Sequence, residues 1–327
     1  IWGGVDDDAQ PADLPFSFKC GERSSRDWVT VETATIVSGE WQQDGTRVHV
    51  LHWKDAESAL YCEMTLTEFQ DFPAFQWVVR VRNDGQTDSA KLHDFWGIDI
   101  CWHGADASMP ILHRSVGSPG HEDDFHFMSE VMHNSMWDKR RRIAMDTPTN
   151  ATWAQAHAYL IPTDKRSSAI WLPFFNYQTG GDGLITALGW SGAWRAYFDH
   201  QGEGKSTILA GVENFDSILH PGETVRSPLH LVLYWQGEVL HGQNLFRRMV
   251  LRQYSPRVNG ELVEPPVSGV VWGGIPSKEH LEIIDKIKAY EIPLDVYWFD
   301  AGWYGTGVVP SYSVFEGDWG PMAGDWR

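Results

Sequence analysis

The residues with the clearest chemical content lie in the run Leu294 to Gly305, LDVYWFDAGWYG. An apolar segment delivers one carboxylate, Asp300, into a loop of glycine and aromatic residues. A carboxylate at a strand end can accept two hydroxyl donors with fixed geometry. Flat aromatic side chains such as Trp303 and Tyr304 supply apolar walls. Together they suit a ligand that carries hydroxyls on an apolar ring. The same residues also suit plainer tasks: Asp300 can cap the following Gly-Trp turn, and Trp303 and Tyr304 can pack the loop.

The elements that must position these side chains are readable in the same region. Ser268 to Trp272 (SGVVW) has strand composition. Pro276 and Ser277 open a helix with Glu279 in its first turn, where the helix dipole favours a negative charge. Leu281, Ile283, Ile284 and Ile287 are expected to form its buried stripe. Glu291-Ile292-Pro293 ends it, and Leu294 to Asp300 is the next strand. The unit has about thirty residues, the size of a parallel β-α-β crossover. Side chains alternate along a strand, so Leu294, Val296, Trp298 and Asp300 share one face, and Asp295, Tyr297 and Phe299 the other. In a parallel barrel, functional side chains sit at the C-terminal strand ends. Trp272 and Asp300 hold matching last positions on neighbouring strands and are expected to face one cavity, although Trp272 also suits core packing there.

Upstream, from about residue 28 to 235, short alternating runs follow one another. Val48, Val50 and His52 share a face of Thr46 to Trp53; Phe75, Trp77, Val79 and Val81 share a face of the next run but one, opposite Gln76, Val78, Arg80 and Arg82. Asn83-Asp84-Gly85 is a turn signal. Later strands are expected at 156–161, 169–177, 184–190, 194–198, 207–212 and 229–235. Many strands without helical periodicity between them point to a large antiparallel sandwich. Residues 103 to 155, rich in His, Met, Asp and Pro, interrupt the rhythm and are expected to form long excursions. Leu240, Leu245, Phe246, Met249 and Val250 recur near helical spacing in 237–254, a linking helix closed by Pro256.

Composition narrows the partners. The net charge is −18, from 26 basic and 44 acidic residues, which argues against nucleic acid and anionic membranes, since both need a basic footprint. Lys139 to Arg142 is the one basic run, and it sits among acidic loops. No apolar run approaches the ~18–20 residues that span a bilayer. The opening residues, IWGGVDDD, have no basic or apolar leader pattern. Three cysteines, Cys20, Cys62 and Cys101, make no disulfide framework and are expected to be buried free thiols. Eighteen tryptophans suit either sugar stacking or the filling of a large sandwich core. His121 to His126 (HEDDFH) has metal-ligand residue types without the HExxH spacing, and reads as a solvated acidic loop. Asp6-Asp7-Asp8 lacks the Gly and closing Glu of a calcium loop. No metal site is assigned.

VVWGG, a helix, LDVYWFDAGWYG and then GDW, in that order, resemble the opening of the catalytic barrel in family 36 glycoside hydrolases. These are the α-galactosidases (melibiases) and α-N-acetylgalactosaminidases. Ser167 to Phe198, with Leu188-Gly189-Trp190-Ser191-Gly192, resembles their N-terminal supersandwich, and Leu219 to Gly237 their run into the linking helix. The resemblance covers residues 165–327 well and the first 160 weakly. It implies a mostly β fold: a large antiparallel β-supersandwich (1–236), a linking helix and linker (237–267), and the first β-α-β of an incomplete (β/α)8 barrel (268–327).

The resemblance also implies a function. Trp272 would line the sugar subsite and Asp300 would grip hydroxyls. The family's usual second aspartate is Ala301 here, which puts simple galactose specificity in doubt. Gly317-Asp318-Trp319 and Gly324-Asp325-Trp326 both fit a later family motif, and Asp325 with Trp326 is the preferred match. The expected protein is a retaining hydrolase of terminal α-linked galactose-type sugars, without metal or organic cofactor. Its partner is a carbohydrate, and homo-oligomers are common among relatives. Sister readings are an α-N-acetylgalactosaminidase or a raffinose-synthase-like transglycosidase; a reading of another class is a non-catalytic carbohydrate-binding or assembly subunit. A complete barrel needs ~250 residues, while residues 268–327 supply far fewer. The family's catalytic aspartates, on barrel strands four and six, are therefore expected outside this sequence, and no catalytic residue is assigned.

Overall fold

Alternating side chains between residues 46 and 83 build the most regular part of the protein. In the computed structural model, Thr46–Lys54, Leu60–Phe69 and Ala74–Asn83 pair antiparallel in unbroken register. The structure describes residues 14–104, 108–118, 122–132, 156–160, 170–202, 204–271 and 277–299. The chain divides into two units, 1–253 and 254–327.

In the first unit one large antiparallel sheet runs, in spatial order, through Phe127–Val131, Ile111–Ser115, Phe174–Thr179, Asp182–Gly189, Leu229–Gln236, Ala74–Asn83, Leu60–Phe69, Thr46–Lys54 and Thr35–Ser38. A second sheet orders Ala156–Leu160, Trp194–Gly202, Lys205–Val212 and Ile98–His103. A third joins Leu92–Trp96 to Ser17–Cys20, with short flanking strands. Aromatic rings fill the space between the sheets. Tyr177 of the large sheet stacks on Phe198 of the second at 5.7 Å, and Phe175 meets Trp194 and Phe198 edge-on at 5.3 and 5.4 Å. Tyr177 donates its hydroxyl to Ser206 Oγ at 2.7 Å, so the one polar atom of that ring is satisfied.

Trp53, Trp77, Trp171, Trp194 and Trp235 are fully buried. These tryptophans are core, whereas Trp41, Trp190 and Trp298 are exposed. The face with Trp77, Val79 and Val81 is buried as its alternation predicts. On Thr46–Lys54 the core face is Leu51 and Trp53, so Val48, Val50 and His52 point away from the core.

Leu229–Gln236 is apolar on both faces because it is covered twice. His230 and Val232 face the sandwich core, while Leu231, Leu233 and Trp235 join a second cluster with Met249. That cluster lies under helix α1 (Val239–Met249). A Cβ at Gly242 would lie 2.5 Å from the Trp235 ring, so the close approach of helix and sheet requires glycine there. Leu245, Phe246 and Met249 face the sheet, but Leu240 is exposed and Val250 begins a π-turn to Tyr254. The expected stripe is thus shorter than its spacing suggested.

Two further expectations are corrected. Residues 103–155 are not only excursions: Ile111–Ser115 is an inner strand of the large sheet and Phe127–Val131 pairs beside it. Their apolar rhythm is broken by buried polar residues with local partners. His113 bonds Ser129 and Gln178 at 2.7 and 2.9 Å, and Arg114 pairs with Glu130 and lies 4.4 Å over the Trp171 ring. All three cysteines are free, but Cys62 alone is buried and Cys101 is exposed. Burial pushes the Cys62 thiol well up, so it stays protonated.

In the second unit Ser268–Val271 and Val296–Phe299 form a parallel pair joined by helix α2 (Ser277–Ala289). No helix among the described residues is long and apolar enough to cross a membrane.

Candidate functional site

The parallel pair of the second unit is held in register from its first residues. The Asp295 carboxylate accepts from the Val267 amide at 2.9 Å, while the Asp295 and Val296 amides donate to the Val267 carbonyl. From there Ser268 faces Val296, Gly269 faces Tyr297, Val270 faces Trp298 and Val271 faces Phe299. A Cβ at Gly269 would come within 3.0 Å of the tip of the Leu294 side chain, a tight contact that a small shift of that side chain would relieve.

Helix α2 is anchored by one polar residue. His280 is buried and shares a 2.8 Å hydrogen bond between Nδ1 and the Tyr297 hydroxyl. Its ring meets Phe299 edge-on at 4.5 Å, and Tyr297 meets Phe299 at 5.2 Å. Burial raises the Tyr297 phenol pKa and keeps it neutral. The helix ends as its sequence suggests. Ile292 N–H returns to the Ile287 carbonyl, and Glu291 N–H to that of Lys288, with Glu291 in the left-handed region at φ 51°.

The strand-facing stripe of the helix is His280, which is buried, with Ile283, Ile284 and Ile287, which are only half-buried. Leu281, expected in that stripe, is 62% exposed. It is one residue, about 100° of helix rotation, from His280. Sequence reading missed His280 because a histidine carries no apolar signal. The helix packs on the Tyr297 and Phe299 face of the strands through His280, and Phe299 stays 48% exposed there. Val270 and Trp298 lie on the opposite face and are more exposed, at 65% and 58%.

The described chain stops at Val271 and Phe299, a paired position. All five sequence-predicted site residues, Trp272, Asp300, Trp303, Asp325 and Trp326, lie outside the described residues. So do Asp6 to Asp8, His121, His133 and Lys139 to Arg142. Among the described residues no group of three or more His, Cys, Asp or Glu side chains gathers as a metal site.

This chain shares its fold with solved α-galactosidases. The α-galactosidase AgaA from Geobacillus stearothermophilus, of family GH36, superposes with a TM-score of 0.65 at 15% identity, covering 90% of this chain and 40% of that one. The α-galactosidase from Lactobacillus brevis gives 0.64 at 17% identity, with coverages of 92% and 39%. The galactosidase domain of the α-galactosidase-sucrose kinase AgaSK gives 0.67 at 13%, with coverages of 90% and 40%. The chain thus spans about two fifths of these neighbours. AgaA variants have been solved with raffinose and with stachyose. No protein-family model and no curated protein sequence matches this chain.

The first unit holds a cleft that sequence reading did not find. It measures about 370 Å³ and is lined by Lys19, Arg26, Asp94, Trp96, Asp99 and Leu209, among others. Asp99 is buried and accepts from Ser17 and from Arg26, the latter at 2.6 Å. Asp94 pairs with Lys19 and His93, each at 3.3 Å, and lies 3.6 Å from Arg195. Burial opposes its ionisation, but Lys19 and His93 outweigh that and hold the carboxyl below its usual range. Between Ser17 and Lys19 the pairing with Leu92–Trp96 shifts by one residue, a β-bulge. Asp94 sits in it at φ 47°, a conformation costing a non-glycine residue on the order of 1 kcal/mol or more. The sequence signal was weak: two aspartates and a tryptophan within LHDFWGID, with no strand period.

Proposed function

We propose that the full-length protein is a retaining α-glycoside hydrolase of the family 36 type, acting on terminal α-linked galactose-type sugars. The observation that carries this is the register of the second unit: Val271 opposite Phe299. If the alternation continues for one more residue, Trp272 and Asp300 would share the face opposite α2, the face that lines the interior in a (β/α)8 barrel. The shared fold of the sandwich supports the same reading. In this proposal 1–236 is the supersandwich, 237–267 the link and 268–327 the start of the barrel. Asp300 accepts substrate hydroxyls, Trp272, Trp303 and Trp326 wall the subsite, and Asp325 adds a second polar contact. The nucleophile and acid/base, carboxyls ~5–5.5 Å apart in a retaining enzyme, come from later strands.

Ala301 favours a sister reading. With one carboxylate where two would stand, the site loses a charged acceptor, and its preference shifts toward another ring substituent, as in an α-N-acetylgalactosaminidase or a transglycosidase. Nitrophenyl α-galactoside, α-N-acetylgalactosaminide and α-glucoside, offered to the full-length protein, separate these readings. Turnover of the first or second, with the α-anomer released first by NMR, is expected. Release of the β-anomer, or sugar binding without any turnover, would reject the retaining enzyme and leave a carbohydrate-binding subunit.

A further inference from the structure

The cleft at the Asp94 bulge has the composition of a ligand site rather than of a brace. Its two carboxylates, Asp94 and Asp99, alternate with two cations, Lys19 and Arg26. Trp96 and Leu209 give it an apolar wall. Arg195 lies 4.0 Å over the Trp96 ring and 3.6 Å from Asp94. A metal ion does not fit, because each carboxylate already answers to a cation. An anion does not fit either, because both carboxylates oppose it. A neutral ligand that both donates and accepts hydrogen bonds, and that has an apolar face, fits both halves of the lining. The volume is at the lower end of the ~300–1,000 Å³ usual for ligand pockets, which suits a monosaccharide.

The bulge sets Asp94 at the edge of this cleft. A strand needs no left-handed aspartate, and a glycine at residue 94 would adopt φ 47° freely. Asp94 pairs there with the half-exposed Lys19, with His93 and with the largely buried Arg195. Strained backbone of this kind is retained where the side chain it presents has a task.

We propose that this cleft is a carbohydrate-binding site on the sandwich, seating one pyranose ring against Trp96 and Leu209 with its hydroxyls shared among Asp94, Asp99, Lys19 and Arg26. The proposal is independent of the barrel reading, since every residue it uses lies in the first unit.

The test is saturation-transfer NMR on the 327-residue chain with methyl α-galactoside, and in parallel with methyl β-glucoside. A dissociation constant on the order of 1 mM is expected for at least one of them. Asp94→Asn, which tolerates the same backbone conformation, and Trp96→Ala should each weaken binding more than tenfold. Asp94→Gly, which keeps the left-handed backbone without strain, should weaken binding as much as Asp94→Asn does. Asp300→Ala should leave this binding intact. Absence of transfer at ten times the expected constant overturns the proposal. So does binding that survives Asp94→Asn and Trp96→Ala, or that tracks the melting temperature instead of these two side chains. If Asp300→Ala alone abolishes binding, the cleft is rejected and the barrel reading stands.

Discussion

Replacing Tyr297 by Phe should loosen the β-α-β unit selectively, and the size of the effect follows from His280. That imidazole is 4% exposed; among the described residues its Nε2 has no hydrogen-bond partner and Nδ1 is held by the Tyr297 hydroxyl at 2.8 Å. Tyr297→Phe removes one oxygen and no packing, so it strands a buried polar ring at a cost of about 1–3 kcal/mol. If the second unit opens as its own cooperative unit, amide exchange in 277–299 should accelerate about 5- to 150-fold, while exchange in 60–83 stays unchanged. Hydrogen exchange read by mass spectrometry of peptides from both stretches resolves this. His280→Leu in the same background should recover most of the loss, because replacing both polar partners by apolar groups is close to neutral. Unchanged protection in Tyr297→Phe, or a double variant as loose as the sum of the two singles, would refute the assignment of this pair as the anchor of α2.

Two other outcomes follow from the first unit. Met249→Ala removes a fully buried side chain beneath α1 and should destabilise by about 2–5 kcal/mol, lowering the calorimetric melting temperature by roughly 5–15 °C; an unchanged transition would mean that α1 is not docked on the sheet. His230 is fully buried, both its ring nitrogens lack partners among the described residues, and burial depresses its pKa to about 3. The unfolded chain binds that proton near pH 6.5, so the stability contributed by neutral His230 is present above pH 6.5 and is lost as pH falls toward 3, at up to about 1.4 kcal/mol per pH unit. Denaturant titrations between pH 7 and pH 4 should show His230→Leu flattening this slope, and an identical slope in both proteins would exclude His230 as its source.

The parts of the fold that were legible in the sequence are those where one physical signal dominates. Ala74–Asn83 alternates because one of its faces meets the sandwich core, and Leu229–Gln236 carries apolar residues on both faces because it is covered on both. Ile111–Ser115 was not legible, since its buried positions include His113 and Arg114, which only the folded sheet supplies with partners. The stripe of α2 was half legible: the isoleucines were readable, but His280 takes the place expected for Leu281 because Tyr297 waits for it. The cleft was illegible for a geometric reason. A bulge is a difference in register between two strands, Ser17–Cys20 and Leu92–Trp96, that lie far apart in sequence. The strand-end reading of Trp272 and Asp300 rested on parity, and the observed register reaches the residue before each.

The proposed role of Asp300 is tested most directly by kcat/KM of Asp300→Ala in the full-length protein, on whichever nitrophenyl glycoside the unaltered protein turns over best. A carboxylate accepting one or two substrate hydroxyls stabilises the transition state by about 1.5–3 kcal/mol per bond, so a loss of at least about tenfold, and of more than a hundredfold if both bonds are made, is expected. A folded Asp300→Ala protein with unchanged kcat/KM would contradict the assignment of this strand end as the sugar-gripping end of the barrel.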